Sequence, residues 1–221
     1  MPLPDRDFDV TEVAVPWRLL TDAGHQVVFA TEHGGQAPGA DPRQLCSAAE
    51  FRAPIAWSAV RPTDYQGLVL AGGHAPGMRQ YLGSAVLRDR VAGYWALGRP
   101  VGAICHGVLV LARTVDPATG ASVLADRRTT CLTKPMERGA FYLTAWRLGR
   151  YYRTYPAYVE DEVTAALADA GQFQRGPASL ARGTATDDGP AFVVEDGNYV
   201  SARWPGDAYL FGKRFTALLD A

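Results

Sequence analysis

Ala103-Ile-Cys-His-Gly107 constrains this chain more than any other stretch. It has the form small-x-nucleophile-x-Gly, with the apolar run Val101 to Ile104 leading in and Val108-Leu-Val-Leu-Ala112 following. That pattern reads as a strand, a sharp turn at Cys105, and a helix from about Gly107 to Arg113. Such an elbow needs small residues two before and two after the nucleophile, because neighbouring backbone crowds the turn. A cysteine placed there meets the unpaired N–H groups of a helix start, which favour a thiolate. The ordinary fate of a free cysteine is a place in the core. The elbow spacing and the adjacent His106 are not packing requirements, and they argue for chemistry instead.

The remaining chain supplies an open sheet to carry that elbow. Met1 to Pro4 makes at best a stub of a first strand before the polar Asp5-Arg6-Asp7. A stub in that place points to a truncated first strand or to a start at an internal methionine. A helix follows, capped by Asp9 or Thr11, with Glu12 in its first turn and an end at Gly24. Gln26 to Thr31 and Tyr65 to Ala71 read as buried strands. Gly72-Gly73-His74 is the tight loop leaving the second of these. Residues 33–42 are a loop by their glycine and proline content, and 43–60 are ambiguous. Apolar spacing from Arg79 to Leu97 predicts one helix. Further on, the pattern predicts a strand within Ala121 to Leu132, a polar connection over Thr133 to Gly139, and helices over Phe141 to Leu148 and Glu160 to Ala170. A hairpin joins Ala191–Val194 to Tyr199–Ala202, and a last helix begins after Pro205-Gly-Asp207 and ends at Leu219. Helix alternating with strand over the first half predicts an α/β fold. The sheet is open, mostly parallel and doubly wound in the flavodoxin-like manner, with helices on both faces and a C-terminal hairpin and helix. A single domain over 1–221 is expected.

Composition narrows the function classes. With 221 residues, 48% of them hydrophobic, and a net charge of −1, nothing favours a nucleic-acid or anionic-membrane partner. No apolar run is long enough to span a bilayer, and the N-terminus is not a signal peptide. Cys46, Cys105 and Cys131 are odd in number and contain no CxxC pair. That fits free thiols in a reducing cytoplasm rather than a disulfide or zinc framework. Cys46 and Cys131 lack the elbow setting and read as packing residues. His106 reads as a base, an acid or a donor at an oxyanion. The glycines Gly72 and Gly73 follow a strand expected beside the elbow strand. At the carboxyl ends of such strands ligands bind, and backbone N–H groups there are placed to hold an oxyanion. Taken alone, Glu12 is a first-turn carboxylate facing the helix dipole.

Leu70-Ala-Gly-Gly-His74 together with Ala103-Ile-Cys-His-Gly107 resembles the ThiJ/PfpI superfamily, part of the class I glutamine-amidotransferase-like fold. Asp9-Val-Thr-Glu-Val-Ala-Val-Pro-Trp17 and Gly24-His-Gln-Val-Val-Phe-Ala-Thr31 extend the likeness, which covers residues 7–140 and is nearest the heat-shock chaperone and glyoxalase III branch. The resemblance implies that Glu12, on the first helix, hydrogen-bonds the Cys105 thiol as a protonated acid. It also implies a Cys-His-acid set, completed by Glu137 with Asp126 as the alternative. It makes Gly72, Gly73 and His74 oxyanion and pocket residues. Arg203 and Trp204 read as surface charge and core aromatic, although both are placed to approach the pocket. The implied activity is conversion of methylglyoxal, or a similar reactive carbonyl, to a 2-hydroxy acid such as lactate through a Cys105 hemithioacetal. The resemblance implies no metal or organic cofactor, and it implies a homodimer. The alternatives are a cysteine amidase or peptidase of the same family, a stress holdase, or a peroxide sensor oxidised at Cys105.

Overall fold

The computed structural model describes residues 1–35, 55–153 and 155–221. Cys46, most of the expected loop over 33–42 and much of the ambiguous stretch over 43–60 lie outside them. The central sheet contains β3 (Leu68–Leu70), β4 (Val101–Ile104), β5 (Val193–Asp196) and β6 (Tyr199–Ala202), in the order β3-β4-β6-β5. β3, β4 and β6 run parallel; β5 closes the edge antiparallel to β6. A separate parallel pair joins β1 (Ala30–Thr31) to β2 (Ile55–Ala56). Open parallel pairing, flanking helices and a terminal hairpin make this the α/β fold expected from the alternating pattern.

β4 is buried along its whole length, which is why it reads as a continuous apolar run. Gly102 on this strand has no side chain because Phe211 and Phe215 occupy the space: an added Cβ would come within 2.8 Å of Phe211. Those two rings belong to the last helix, α7 (Ala208–Leu219), which packs on β4, β6 and the first helix, α1 (Val10–Asp22). Burying each ring contributes about 1.5–3 kcal/mol. The elbow helix α4 (Gly107–Ala112) packs closely on β3, where a Cβ on Gly107 would lie 2.1 Å from the Leu70 carbonyl oxygen. That contact explains the small residue two after the cysteine.

Several expectations are corrected. The N-terminal stub is not left unpaired but bridges to β1: the Leu3 N–H donates to the Ala30 carbonyl at 2.8 Å, and the Ala30 N–H donates to that of Met1 at 3.2 Å. The strand it joins is shorter than Gln26–Thr31 implied. The helix expected over 79–97 is two helices, α2 (Ala75–Gly83) and α3 (Ala85–Trp95), because the Ser84 side chain caps the second through the Leu87 N–H. Ala121–Leu132 forms no strand and holds only bridges, from Val115 to Ser122 and from Thr129 to Phe173. Its polar Asp126-Arg127-Arg128 interrupts the alternation a strand needs. The polar connection at 133–139 is instead the first turns of α5 (Lys134–Leu148), since Pro135 is tolerated at a helix start. The helix expected over 160–170 is α6 (Val159–Ala165). Arg203 is not a surface charge: it is fully buried in a two-pronged ion pair with Asp207, at 2.8 and 3.0 Å. Cys131 is buried, as expected of a packing residue.

Candidate active site

The turn at Cys105 is the strained element of the sheet. Its φ is +57°, in the left-handed region, a conformation that costs a non-glycine residue about 1–3 kcal/mol. Pairing on one side holds it there: the Cys105 N–H donates to the Ala202 carbonyl at 3.0 Å, extending the β4–β6 ladder into the turn. The side chain is buried, and its Sγ lies 3.5 Å from His106 Nδ1. The bend therefore lets adjacent residues cooperate that would point apart in a regular strand or helix.

Glu12 reaches this turn because the segment before α1 is laced to the loop after β3. The Asp9 N–H donates to the Gly72 carbonyl at 3.0 Å, and the His74 N–H donates to that of Asp7 at 3.0 Å. Asp9 then caps α1 by accepting from the N–H groups of Thr11 and Glu12. Gly72 and Gly73 are required by this close approach. A Cβ on Gly72 would lie 2.6 Å from Glu12 Oε2, 2.8 Å from the Cys105 Cβ and 2.8 Å from the His106 nitrogen; one on Gly73 would lie 2.3 Å from the Asp7 carbonyl oxygen. The Gly72 N–H is committed to Glu12 Oε2 at 2.8 Å. Glu12 itself is fully buried. Among the described residues its Oε1 has no conventional hydrogen-bond partner, and the Cys105 thiol lies close to the carboxyl.

Burial, reinforced by Asp9, holds the Glu12 carboxyl well above the usual carboxylate range. Burial also raises the Cys105 thiol, with Glu12 and Asp9 adding to the effect and the His106 N–H opposing it. The direction corrects the simple expectation of a thiolate favoured by the helix start: desolvation outweighs the backbone donors. Two negative charges are unfavourable in this desolvated space, so burial and Asp9 together favour the protonated form of Glu12. The imidazoles shift the opposite way. Desolvation, helped by His74 and Arg113, lowers His106 to about 3. Desolvation lowers His74, half-buried on the cleft wall, to about 4. Both rings are neutral at physiological pH. They meet edge to face at 5.6 Å, and Tyr152 packs against His74 at 4.5 Å.

Cys105 and His74 open onto a cleft of ≈ 630 Å³. Its walls come from the start of α5, from the segment 175–182, and from Trp204 and Pro205. The buried Arg203–Asp207 pair fixes that last wall, because Arg203 also donates to the Pro177 carbonyl at 2.7 Å and Asp207 accepts the Phe192 N–H at 2.9 Å. Trp204 thus lines the cleft instead of the core alone, and the Arg182 guanidinium lies over its ring at 5.2 Å.

The structure brings Glu12, Gly72, Gly73, His74, Cys105 and His106 together. Glu137 lines the same cleft, but its hydrogen bonds go elsewhere: Oε2 accepts the Val159 N–H at 3.0 Å, and Oε1 pairs with Arg153 at 3.4 Å. Neither bond reaches His106. Asp126 is highly exposed and pairs with Arg127 at 3.7 Å. Three residues escaped the sequence reading as parts of the site. Asp9 was legible only as a cap, while Tyr152 and Arg182 sit in irregular segments that carry no motif.

The model of the DJ-1/PfpI family matches residues 3–218. The chain belongs to the DJ-1/PfpI family. Among curated relatives it is similar to a deglycase of Pyrococcus abyssi, 27% identical over 96% of this chain and 93% of the relative. It is also similar to a deglycase of Pyrococcus horikoshii, 26% identical over 98% and 96% of the two chains. A glyoxalase III from Candida albicans shares its fold, with a TM-score of 0.70 at 19% identity, covering 96% of this chain and 88% of that one. No helix among the described residues is long and apolar enough to cross a membrane.

Proposed function

We propose that this DJ-1/PfpI chain is a cysteine enzyme of the glyoxalase III type that works through its own side chains, converting methylglyoxal or a similar 2-oxoaldehyde to a 2-hydroxy acid. One observation carries the reading. Beside a buried nucleophile, burial favours the protonated form of the Glu12 carboxyl and lowers His106 to about 3, which leaves that ring neutral at physiological pH. Environments that push two titratable groups apart in this way assign the acid and the base.

Cys105 Sγ adds to the aldehyde carbon, forming a C–S bond while the carbonyl oxygen takes up a proton. As Sγ bonds to carbon its proton becomes acidic and passes to His106 Nδ1, at 3.5 Å, while the Glu12 carboxyl supplies one to oxygen. The Gly73 and His106 N–H groups hold the transient oxyanion, since the Gly72 N–H is already bonded to Glu12. Such a donor is worth about 3 kcal/mol in a dry site. The hydrogen on the thiol-bearing carbon then leaves as a proton and is returned at the neighbouring carbon through an enediol. This gives the thioester of a 2-hydroxy acid. Water cleaves the C–S bond, lactate leaves and the thiol is restored. The net change is addition of one water, with one carbon oxidised and its neighbour reduced.

A second reading is hydrolysis, with Cys105 acting on a carbonyl still joined to an amine. The relatives named deglycase and a cleft roomier than methylglyoxal favour it. Incubating the purified protein with methylglyoxal, with its adducts on amines and with simple amides separates the two. Lactate from free methylglyoxal supports the first reading; product from the amine adducts alone overturns it.

A further inference from the structure

Two large exposed apolar side chains lie on the cleft that contains Cys105. Leu143, on α5, is 76% exposed, and Leu180, in the segment between α6 and β5, is 71% exposed. Single exposed leucines are ordinary. Two on the walls of one concavity, from segments distant in sequence, extend an apolar surface that already includes Leu132, Met136, Ala140 and Trp204. The volume, ≈ 630 Å³, falls within the roughly 300–1,000 Å³ of sites that enclose drug-sized ligands. Methylglyoxal carries only a methyl group and would leave most of that lining against water.

We infer that the site selects 2-oxoaldehydes bearing a bulky apolar substituent, with Leu143 and Leu180 as the residues that set the preference. The inference rests on the 2-oxoaldehyde chemistry proposed for Cys105. Because the reacting carbon is bonded to the buried Sγ, its substituent extends from the closed end of the cleft along the apolar walls. Covering the two leucines removes apolar surface from water, a gain available only to a substrate with a large substituent. The balance is that of the parent reaction. With phenylglyoxal, the C–S bond forms at the aldehyde carbon, whose hydrogen leaves as a proton and is returned at the carbon bearing the ring. Water then releases mandelate and restores the thiol, with no external oxidant or reductant.

The test compares kcat/KM for phenylglyoxal and methylglyoxal in the unaltered protein and in the double variant Leu143→Ser/Leu180→Ser. Both side chains are exposed, so circular dichroism of the double variant is expected to match that of the parent. Phenylglyoxal is expected to be preferred, and the ratio of the two kcat/KM values to fall about tenfold in the double variant. No preference in the unaltered protein, or an unchanged ratio in the variant, overturns the inference while lactate formation from methylglyoxal leaves the parent reading standing. Failure to form either lactate or mandelate overturns both.

Discussion

Glu12 Oε2 accepts the Gly72 N–H at 2.8 Å, and this bond decides where the Glu12 proton resides. A carboxylic acid carries its proton on one oxygen. With Oε2 occupied as an acceptor, the proton falls to Oε1, the oxygen without a conventional partner. The backbone of the loop after β3 thereby leaves Oε1 to carry the proton in the buried space that Glu12 shares with Cys105.

Replacing Glu12 with Gln keeps a donor and an acceptor but removes the transferable proton. Turnover of methylglyoxal is expected to fall about a hundredfold or more. Stability moves the other way. A carboxyl whose folded pKa lies above its ordinary value of 4.5 binds more protons folded than unfolded between the two. Its contribution is full below 4.5 and is lost as pH rises through that window. The Tm of Glu12→Gln relative to the parent should therefore increase from pH 4.5 towards neutrality. Thermal melts across that range check the sign.

His106 gives the opposite dependence. Its folded pKa, about 3, lies below the ordinary 6.5, so between these values the unfolded chain binds more protons. The neutral ring's contribution is complete above 6.5 and is lost as pH falls towards 3. His106→Gln should flatten the acid side of the stability curve. In the unaltered protein, the rate against pH should show no inflection near 6.5 from either His106 or His74, whose pKa is lowered to about 4.

Gly72→Ala tests the close approach itself. The added methyl meets Glu12 Oε2, the Cys105 Cβ and the His106 nitrogen, all within 2.8 Å. Separation of these groups is expected to cost about 1–3 kcal/mol in urea unfolding, together with most of the activity.

The elbow was legible because a strained turn leaves a compositional mark: Ala103 and Gly107 are small where backbone crowds them, and the φ of +57° at Cys105 is the strain they accommodate. Gly72 and Gly73 were legible as a tight loop, but their reason was not. They make room for Glu12 and Asp7, which arrive from another part of the chain. No local pattern announces such a contact, so by itself Glu12 reads as an ordinary first-turn acid, and only the family likeness gives it a role at the thiol. Arg203 misled for a different reason. A charged residue after a strand reads as exposed; its partner Asp207 is only four residues on, but the burial of the pair depends on distant segments that pack and bond to it at Pro177 and Phe192. The helix start at Lys134 was hidden by polar residues that suit both a loop and a first turn.

Glu137 separates a structural carboxylate from a participating one. Glu137→Ala leaves the Val159 N–H without its acceptor and Arg153 without its carboxylate, expected to cost about 1–3 kcal/mol. Glu137→Gln retains an acceptor and should lose less. In both variants the methylglyoxal rate is expected to fall less than in Glu12→Gln, as measured by initial rates on protein shown to be folded.

Cys105→Ala tests the central claim most directly. The substitution removes only a buried sulfur, and circular dichroism should confirm that the fold is kept. Lactate formation from methylglyoxal is expected to drop to the rate without protein, while the parent protein turns the aldehyde over. Lactate formed by folded Cys105→Ala at the parent rate would contradict the account.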